Sequence, residues 1–404
     1  MNEDKVYPQN DEPKRRAKKT KAAKSKRAKR IVAGITIPIA TVLVLFVSFF
    51  LFIFYSPWTT ELRDQYILVT SSSSNPWLCT TFFSQKTIDQ VLEANGSETP
   101  EGSIDPSLID VNNPEENEET QTEEVEETAT EEIIEEKPPI EFKTSEEYPG
   151  EIIYDDGEVQ IVKFTQRTST GKYTARIIQV KDPSRVVLGV TNKLGKRGQL
   201  LGDFCTTNDA LAAINAGGFV DDGGHGNGGT PLGTVIQNGI YTQYTKTTDH
   251  SIIGFDRNNL LVVGKFTEEE CTEMGIRDAI SWRPPSLLVL NGEIVEHRGL
   301  AGGNVARAGI GQCADGTVLL LVIDGSALRG IDGANFATMA KILRSYGAVN
   351  AANMDGGTSA TMALEGKVIN TVCNPAIAKR GRYLATCWLV KNLPEEDVTE
   401  TAEN

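Results

Sequence analysis

The stretch Val318-Leu319-Leu320-Leu321-Val322-Ile323-Asp324-Gly325 decides the fold of this chain. Six successive apolar residues before Asp324 are typical of a β-strand that is buried on both faces. Farther along, the segment 334–346 (ANFATMAKILRSY) has apolar residues at helical spacing and stops at Gly347. These residues predict a buried strand that ends in a polar Asp-Gly turn and is followed by a helix.

Strand-length runs rich in β-branched residues occur on both sides of this unit. Residues 287–290 lead through Asn291-Gly292 into 293–295, which is the pattern of a β-hairpin. A second turn-and-strand unit occupies 361–369. The remaining runs are 159–164, 174–180, 186–190 and 383–390. Many short strands with few helices predict an α+β layered domain with a mixed β-sheet core.

The N-terminal part has a different composition. Residues 31–55 carry no charge and are long enough to span a bilayer as a helix, which needs about 20 apolar residues. The preceding segment 1–30 is strongly basic, and Trp58 follows the apolar run. The positive-inside rule predicts a single-pass protein of the cell membrane, with a cytoplasmic N-terminus and an extracytoplasmic C-terminal domain. The bilayer is therefore an expected partner. Nucleic acid is not, because no aromatic residues are interleaved with the basic ones.

Most of the formal net charge of −15 is concentrated in one block. Residues 95–150 are rich in Glu, poor in apolar residues and nearly free of Lys and Arg. Such a segment cannot bury enough apolar surface to fold, and like charges extend it, so we expect a disordered spacer. The predicted domains are a basic arm (1–30), a transmembrane helix (31–55), a membrane-proximal segment (56–94), an acidic tether (95–150), the folded domain (151–393) and an acidic tail (394–404). For the membrane-proximal segment, contact with lipid headgroups and packing near the domain both stay open.

Four segments rich in Gly, Asn and Asp adjoin predicted strands of the folded domain. Glycine at such places lets a ligand approach the backbone closely. Together the segments supply carboxylates, amides, one Arg and backbone N–H groups, a set that suits an anionic, hydroxyl-rich ligand such as a sugar phosphate. Singly, each segment is as well explained by a tight turn. They are 215–219 with the loop 221–229, 306–311, 323–325 and 353–359.

Several other kinds of site are poorly supported. The chain has no P-loop, no dinucleotide-binding glycine motif, no H-E-x-x-H and no G-x-S-x-G. The loop 221–229 could hold Ca²⁺, but it lacks the spacing of an EF-hand, and we favour a mobile loop that contributes Asp222 and His225 to a nearby site. No residue is assigned as a metal ligand. The cysteines form no C-x-x-C pair, and Cys373 with Cys387 is the first candidate for a disulfide.

The order and spacing of the four segments resemble the phosphodiester glycosidase family. The matching motifs are Asn215-Ala216-Gly217-Gly218-Phe219, Ala306-Arg307-Ala308-Gly309-Ile310-Gly311, Asp324-Gly325 and Asn353-Met354-Asp355-Gly356-Gly357-Thr358-Ser359. The resemblance covers roughly residues 158–391. Two positions depart from the family pattern: Thr338 stands where many members carry Glu, and Ser326 where a polar or basic residue is common.

The resemblance implies hydrolysis of the bond between a sugar anomeric carbon and a phosphodiester, in a sugar-1-phosphodiester or a phosphate-containing envelope glycan. It assigns Asp324 and Asp355 as the carboxylates and Arg307 as the phosphate ligand. Asn215 and Asn353 would bind sugar hydroxyls or orient the Asp residues. The other expected substrate-binding residues are Gly217, Gly356, Gly357, Thr358 and Ser359. The alternatives are a non-catalytic module that binds phosphate-bearing glycans during exopolysaccharide or cell-wall polymer assembly, and a structural partner of that assembly.

Overall fold

The computed structural model describes residues 34, 36–52, 54–71, 73, 75–98, 103–111, 139–168, 171–245, 250–283 and 286–393. Its contacts divide the chain into two units, which meet after Asp64. The predicted basic arm, the predicted acidic tail and residues 112–138 lie outside the described residues.

The N-terminal unit contains helix α1 (Thr36–Phe52), whose side chains are mostly exposed. Within the described part of the chain, no helix taken alone is long and apolar enough to cross a membrane. Helix α1 satisfies that criterion only together with the segment Pro57–Ser71, from which a bend separates it.

The C-terminal unit is built from antiparallel strands and a few short helices. The helices are α2 (Thr60–Ser71, which begins before the division), α3 (Trp77–Phe82), α4 (Gln85–Ala94), α5 (Leu201–Thr207), α6 (Glu268–Glu273) and α7 (Phe336–Ser345). The strands are β1 (Glu151–Asp155), β2 (Val159–Arg167), β3 (Lys172–Val180), β4 (Val186–Val190), β5 (Ala210–Asn215), β6 (Val235–Gln237), β7 (Ile240–Gln243), β8 (Ser251–Phe255), β9 (Leu261–Gly264), β10 (Asp278–Trp282), β11 (Leu287–Leu290), β12 (Glu293–Ile294), β13 (Arg307–Cys313), β14 (Val318–Ile323), β15 (Ala348–Asn353), β16 (Met362–Leu364), β17 (Lys367–Val368) and β18 (Thr386–Lys391).

These strands form three sheets. An eight-stranded sheet has the order β1-β2-β3-β14-β13-β15-β11-β12, and two five-stranded sheets have the orders β7-β6-β10-β8-β9 and β17-β16-β5-β18-β4. Every strand pair with an assigned register in the described residues is antiparallel. The architecture of several sheets with few helices confirms the α+β prediction.

The strand 318–323 lies in the middle of the large sheet, as its composition predicts. Leu319, Leu321 and Ile323 pack on the face that carries helix α7. Val318, Leu320 and Val322 face the main core, which is shared with the two smaller sheets. Because apolar neighbours cover both faces of the strand, none of its residues needs to be polar until the strand ends.

The predicted hairpins and the predicted helix are confirmed. Strands β11 and β12 are joined through Asn291 and Gly292, both of which have positive φ values, 51° and 85°. Strands β16 and β17 are joined in the same way through Glu365 and Gly366. Positive φ at both central residues gives the turn a twist that suits a two-residue hairpin.

The segment before the acidic block packs against the domain. Gln65 of α2 and Asn304 exchange two hydrogen bonds, Nε2 to O at 2.9 Å and N to Oε1 at 3.0 Å. The Asn95 side chain accepts from Leu300 N at 2.7 Å, and Ser97 pairs with His297. The apolar residues Ile67, Leu68, Ile88 and Val91 are buried. Of the two arrangements left open for 56–94, residues 65–94 adopt the one that packs near the domain.

The described ends of the predicted tether are also ordered on the domain. Asp110 N donates to Ala314 O at 2.7 Å, and Lys143 forms an ion pair with Asp315. The two contacts lie on the same turn, which connects β13 to β14. The disordered tether predicted over 95–150 is therefore wrong for 95–98, 103–111 and 139–150. Ile109 and Tyr148 explain the difference, because these apolar side chains are buried within the otherwise acidic block.

All six cysteines of the chain are free thiols in the structure. The disulfide predicted between Cys373 and Cys387 is wrong. Cys387 faces the side of β18 that packs on Gly189 and Leu201, whereas Cys373 lies in a loop beside Ser326. The two thiols belong to different environments, and proximity to C-terminal elements was too weak a criterion for pairing them.

Candidate active site

Asp324 lies directly after β14 and is enclosed by the protein. Its residue is 2% exposed. Oδ2 accepts a hydrogen bond from Arg176 Nη1 at 3.1 Å, a buried ion pair. Oδ1 accepts from Thr371 N at 2.9 Å and from Asn370 Nδ2 at 3.3 Å. Since both oxygens have partners and one partner is a cation, Asp324 is a fixed carboxylate with little freedom to move.

Arg307 lies on the opposite face of the eight-stranded sheet. Arg307 pairs with Ile323, so these two side chains share a face. Arg176, the partner of Asp324, pairs with Val322 and faces the other way, because successive residues of a strand alternate. The structure therefore does not bring the predicted phosphate ligand and this carboxylate into one site.

The guanidinium of Arg307 is bound to backbone carbonyl groups near the start of α7. Nε donates to Ala334 O at 2.9 Å, and Nη2 donates to Gly302 O at 2.5 Å and Gly303 O at 2.6 Å. The guanidinium also stacks on Phe336, 4.5 Å from its ring centroid. Burial lowers the pKa of Arg307 to about 9. These contacts order the turn at 302–303 and the approach to α7.

Asp355 is the predicted carboxylate that stays partly exposed. It follows β15, and its backbone N donates to Ala216 O at 3.2 Å. Burial raises the pKa of Asp355 from an ordinary 3.8 to about 6, although a hydrogen bond with Ser359 and the charges of Arg382 and Arg283 oppose the rise. A carboxyl group with a pKa near neutrality can both donate and accept a proton at physiological pH.

Asn215 holds the backbone of Asp355 through a hydrogen bond. It is fully buried at the end of β5. Its Nδ2 donates to Asp355 O at 2.6 Å, and its Oδ1 accepts from Thr361 N at 3.1 Å. Because both ends of the amide are engaged, Asn215 orients the loop that carries the carboxyl group, which is one of the two roles predicted for it.

Asn353 is buried in the same way, at 3% exposed. Its amide lies 3.2 Å from both Met354 O and Trp282 Nε1, donating to the first and accepting from the second. Gly217 N donates to Thr386 Oγ1 at 3.1 Å. The Asn353 amide thus connects β15 to β10 of another sheet, and Gly217 N binds the first residue of β18.

Close packing against the backbone explains why two glycines follow Asp355. A Cβ atom at Gly356 would lie 2.7 Å from Ala306 O, and Gly357 has a φ of +57° and donates from its N to the same oxygen at 2.8 Å. Thr358 is partly exposed, and its hydroxyl interacts with Cys373. The loop is therefore pressed against the start of β13 and presents Asp355 and Thr358 outward.

Asn370 connects the surroundings of the two carboxylates. Its Nδ2 donates to Asp324 Oδ1 at 3.3 Å and to Ala360 O at 3.2 Å, and its Oδ1 accepts from Met362 N at 2.8 Å. The intervening Thr361 is bound by Asn215. The segment 360–362 therefore links the Asp324 end of β14 to the loop of Asp355.

Asp221 contributes to the site in the way predicted for its neighbour Asp222. Asp221 Oδ2 accepts from Arg382 Nη2 at 2.9 Å, and Oδ1 accepts from Gly226 N at 2.5 Å. The Arg382 guanidinium also stacks on Phe219 at 4.4 Å. The charge of Asp221 acts on Asp355 and contributes to its raised pKa.

The two residues that we predicted from this loop are peripheral or undescribed. His225 is exposed, and the side chain of Asp222 lies outside the described residues. In the described part of the chain, no three His, Cys, Asp or Glu side chains are placed to hold a metal ion. The loop 221–226 is ordered by Asp221 and Arg382, and no described contact points to Ca²⁺.

The sequence reading missed the arginines that belong to the site, Arg176, Arg283 and Arg382. Arg176 had a detectable signal, because it occupies an inward-facing position of β3 between the apolar residues Ala175 and Ile177. Arg283 and Arg382 had no such signal. They approach Asp355 from loops whose positions depend on the pairing of distant strands.

Parts of the chain are similar in sequence to a family model and to several known proteins. Residues 208–391 match the family model described as phosphodiester glycosidase. A SPbeta prophage-derived uncharacterized protein, YomE, of Bacillus subtilis is 27% identical over 199 residues, which cover 47% of this chain and 29% of YomE. The mouse N-acetylglucosamine-1-phosphodiester alpha-N-acetylglucosaminidase is 29% identical over 159 residues, which cover 34% of this chain and 29% of the mouse protein.

One solved structure aligns with a larger part of the chain. The catalytic domain of the zebrafish N-acetylglucosamine-1-phosphodiester alpha-N-acetylglucosaminidase, auto-inhibited by its pro-peptide, aligns with 63% of this chain and 87% of its own, with a TM-score of 0.49 and 22% identity. The chain spans less than a third of the length of the curated relatives that it matches.

Proposed function

We propose that the protein hydrolyses the bond between a sugar anomeric carbon and a phosphodiester oxygen, because residues 208–391 match the family model described as phosphodiester glycosidase. The observation that carries the proposal is the carboxyl group of Asp355. The residue is partly exposed, burial of its carboxyl group raises the pKa to about 6, and the charges of two arginines act on it. The name of the mouse relative supports a sugar-1-phosphodiester as the substrate class.

In this reaction, ionised Asp355 acts as the general base. It takes a proton from a water molecule while the water oxygen forms a bond to the anomeric carbon. The bond from that carbon to the phosphate oxygen breaks, and the electron pair leaves with the phosphate. The phosphate is already a good leaving group, so one proton-accepting carboxylate suffices, and positive charge develops on the sugar ring in the transition state.

Arg283 and Arg382 bind the phosphate. Arg283 is exposed beside Trp282, with its guanidinium 5.3 Å from the ring centroid, and the charges of both arginines reach Asp355. Guanidinium groups bind phosphate through paired N–H donors, and they stabilise the charge that accumulates on the leaving group. Arg307, on the far face of the large sheet, has no part in this step.

Asp324 acts as a positioning residue in this proposal. Its oxygens are already bound by Arg176, Thr371 and Asn370, which leaves them poorly placed to attack a sugar. Through Asn370 it fixes the segment 360–362, and through that segment the loop of Asp355. The two carboxylates therefore have different roles, since Asp324 holds the site in place and Asp355 exchanges the proton.

The test is turnover of an N-acetylglucosamine 1-phosphodiester by the full-length chain. Asp355→Asn is expected to lower kcat by at least about 100-fold, the usual contribution of a general base. In the wild type, log kcat/KM should rise with pH up to about 6 and then level off, since only ionised Asp355 accepts a proton. Full activity of Asp355→Asn would rule out the assignment, as would a rate that falls as pH rises through 6.

The binding-module alternative makes a different prediction for the same variant. A non-catalytic module would keep the arginines but would not need a carboxyl group that titrates near neutrality. Binding of a sugar-1-phosphodiester without turnover by the wild type, unchanged in Asp355→Asn, would favour that alternative over hydrolysis.

We further propose that the apolar run 31–55 anchors the chain in the cell membrane, with residues 1–30 in the cytoplasm and the domain outside. The charge asymmetry around the run supports this orientation. Reporter fusions after residues 30 and 150 test it. A reporter that is active only in the cytoplasm should function at the first position and fail at the second, and the reverse pattern would overturn the proposal.

A further inference from the structure

A cationic surface continues outward from the arginines beside Asp355. The loop 193–197 contributes Lys193, Lys196 and Arg197, and the loop 379–383 contributes Lys379 and Arg380; all five side chains are exposed. Neither loop contains an acidic residue. We call Lys193, Lys196, Arg197, Lys379 and Arg380, together with Tyr383, the basic strip.

The two loops of the basic strip are joined into one surface. Gly195 N donates to Gly229 O at 2.7 Å, and Asn227 Nδ2 donates to Lys196 O at 2.8 Å. Gln199 and Leu384 exchange backbone hydrogen bonds of 2.9 Å. The lysine and arginine side chains are thereby held on adjoining loops with a common support.

Tyr383 arranges the two arginines of the strip. The Arg197 guanidinium lies 3.9 Å from the ring centroid and the Arg380 guanidinium 5.7 Å from it. Neither arginine forms an ion pair with an acidic side chain in the part of the chain that the structure describes. An arginine that stacks on a ring keeps its N–H groups at the ring edge free to bind an anion.

The strip is continuous with the candidate active site. Arg380 and Arg382 are separated by Gly381 alone, and Arg382 acts on Asp355. Asp221, an acidic side chain of the adjoining loop 221–229, is paired with Arg382. A chain of cations therefore runs from the reacting carboxyl group to Arg197. One phosphodiester would use only the arginines at its inner end.

We propose that the basic strip binds further phosphate groups of the same substrate, so that the substrate is a polymer with repeated sugar-phosphodiester links. This inference rests on the proposed function for the linkage that is cleaved. Each additional phosphate gains charge-assisted hydrogen bonds along the strip, and the bound polymer places one of its links at Asp355.

The experiment compares two substrates of the full-length chain: a polymer of N-acetylglucosamine 1-phosphate repeats and the methyl diester of N-acetylglucosamine 1-phosphate. The measured quantity is the ratio of kcat/KM for the polymer to kcat/KM for the small diester. Arg197→Gln with Arg380→Gln should lower this ratio about tenfold or more, since two charge-assisted contacts are lost. It should also weaken the salt dependence of polymer turnover.

The matched control removes the same charge elsewhere. Lys265 and Lys341 are exposed lysines outside the strip. Lys265→Gln with Lys341→Gln should leave the ratio within about twofold of the wild type. An unchanged ratio in the Arg197 and Arg380 variant, or an equal drop in the control, would overturn the proposal. If the double arginine variant melts well below the wild type, Lys193→Gln with Lys196→Gln takes its place.

A binding measurement separates failure of the strip from failure of the proposed function. Inorganic polyphosphate needs no turnover, and its binding can be followed by fluorescence anisotropy. If the wild type cleaves neither substrate, the proposed function fails, but loss of polyphosphate binding in the Arg197 and Arg380 variant still supports the strip. Single-stranded DNA that binds more tightly than the glycan polymer would overturn the assignment of a glycan.

Discussion

At the scale of single residues, Asp355 and Asp324 have opposite electrostatic surroundings. Asp324 Oδ2 forms an ion pair with Arg176 Nη1 at 3.1 Å, and Asp324 Oδ1 accepts a hydrogen bond from Thr371 N. Asp355 is raised in pKa to about 6 because burial outweighs its favourable partners. Asp355 therefore carries its charge at a cost in stability, and a reactive carboxyl group of this kind is commonly held in place by the rest of the fold.

This cost predicts that Asp355→Asn stabilises the protein at neutral pH. The folded-state pKa of Asp355 lies above its unfolded value near 3.8, so the wild type loses stability as pH rises from about 4 to 6, whereas the amide does not titrate. Thermal melting at pH 4 and pH 7.5 measures the effect. The variant should gain on the order of 1–3 kcal/mol over the wild type between these two pH values.

The same experiment has an internal control in Asp324→Asn. This variant loses the ion pair with Arg176 and is expected to be less stable than the wild type at pH 7.5. A gain in stability for Asp355→Asn that is the same at both pH values would contradict the titration argument, because it would then not arise from the charge.

Arg176→Met is predicted to cost about 3–5 kcal/mol. The substitution leaves Asp324 buried without its cation, which is the most expensive way to break an ion pair. Urea unfolding of the two single variants and of the double variant Arg176→Met with Asp324→Asn gives the interaction free energy between the two side chains. The double variant should recover part of the loss, and a cost below about 1 kcal/mol for Arg176→Met would show that the pair is not important for stability.

The sequence predicted which segments lie at the candidate site better than which side chains surround Asp355. Asp324 and Asp355 could be found because a polar residue at the end of a strand has no packing reason to be there. The sequence could not show that Arg307 and Asp324 lie on different faces of the large sheet, because the strand register that decides the face depends on pairing with β14. Arg283 and Arg382 come from loops, and their approach to Asp355 is set by the arrangement of three sheets.

At the scale of elements, local patterns were reliable and long-range docking was not. The two hairpins and helix α7 follow from turn residues and periodicity within a few positions. The segment 95–150 has low hydrophobicity and high net charge, which favoured a prediction of disorder. Its few apolar side chains nevertheless find partners on the domain, because burial needs only a matching surface and not a high average hydrophobicity.

This docking predicts that the fragment 151–404 is less stable than the fragment 65–404. The shorter fragment lacks Tyr148, which contacts Phe164 and accepts a hydrogen bond at its O from Tyr346 Oη at 2.9 Å. It also lacks buried Ile67 and Ile109. Each large apolar side chain contributes about 1.5–3 kcal/mol, so we expect a loss of several kcal/mol in urea unfolding.

A fragment 103–404 distinguishes the two docked parts. It keeps Ile109 and Tyr148 but lacks α2, α3 and α4, and it should have intermediate stability. Equal midpoints and equal slopes for all three fragments would show that the segment before 151 contributes nothing to the fold.

At the scale of the whole molecule, most of the net charge of the chain is concentrated in the segment 112–138. The described residues of 65–111 precede this segment and pack on the domain. On its two sides, Asp110 and Lys143 contact the turn between β13 and β14. Residues 112–138 hold twelve Glu and one Lys, so they carry a net charge of −11 out of −15 for the chain. The folded domain 151–393, by contrast, has nearly balanced charge.

Replacing 112–138 with a Gly/Ser segment of the same length is therefore expected to leave stability within about 0.5 kcal/mol, since the replaced residues lie between two anchored ends.

The replacement should instead change the binding of polyanions. Polyanions are repelled by this charge at long range, so inorganic polyphosphate should bind the replaced chain several-fold more tightly at low ionic strength. At about 1 M salt, where the Debye length is about 3 Å, the difference should vanish. A replacement in which half of the glutamates are kept should give an intermediate affinity. Tighter binding that persists at high salt would instead indicate direct contact between the acidic segment and the anion-binding surface.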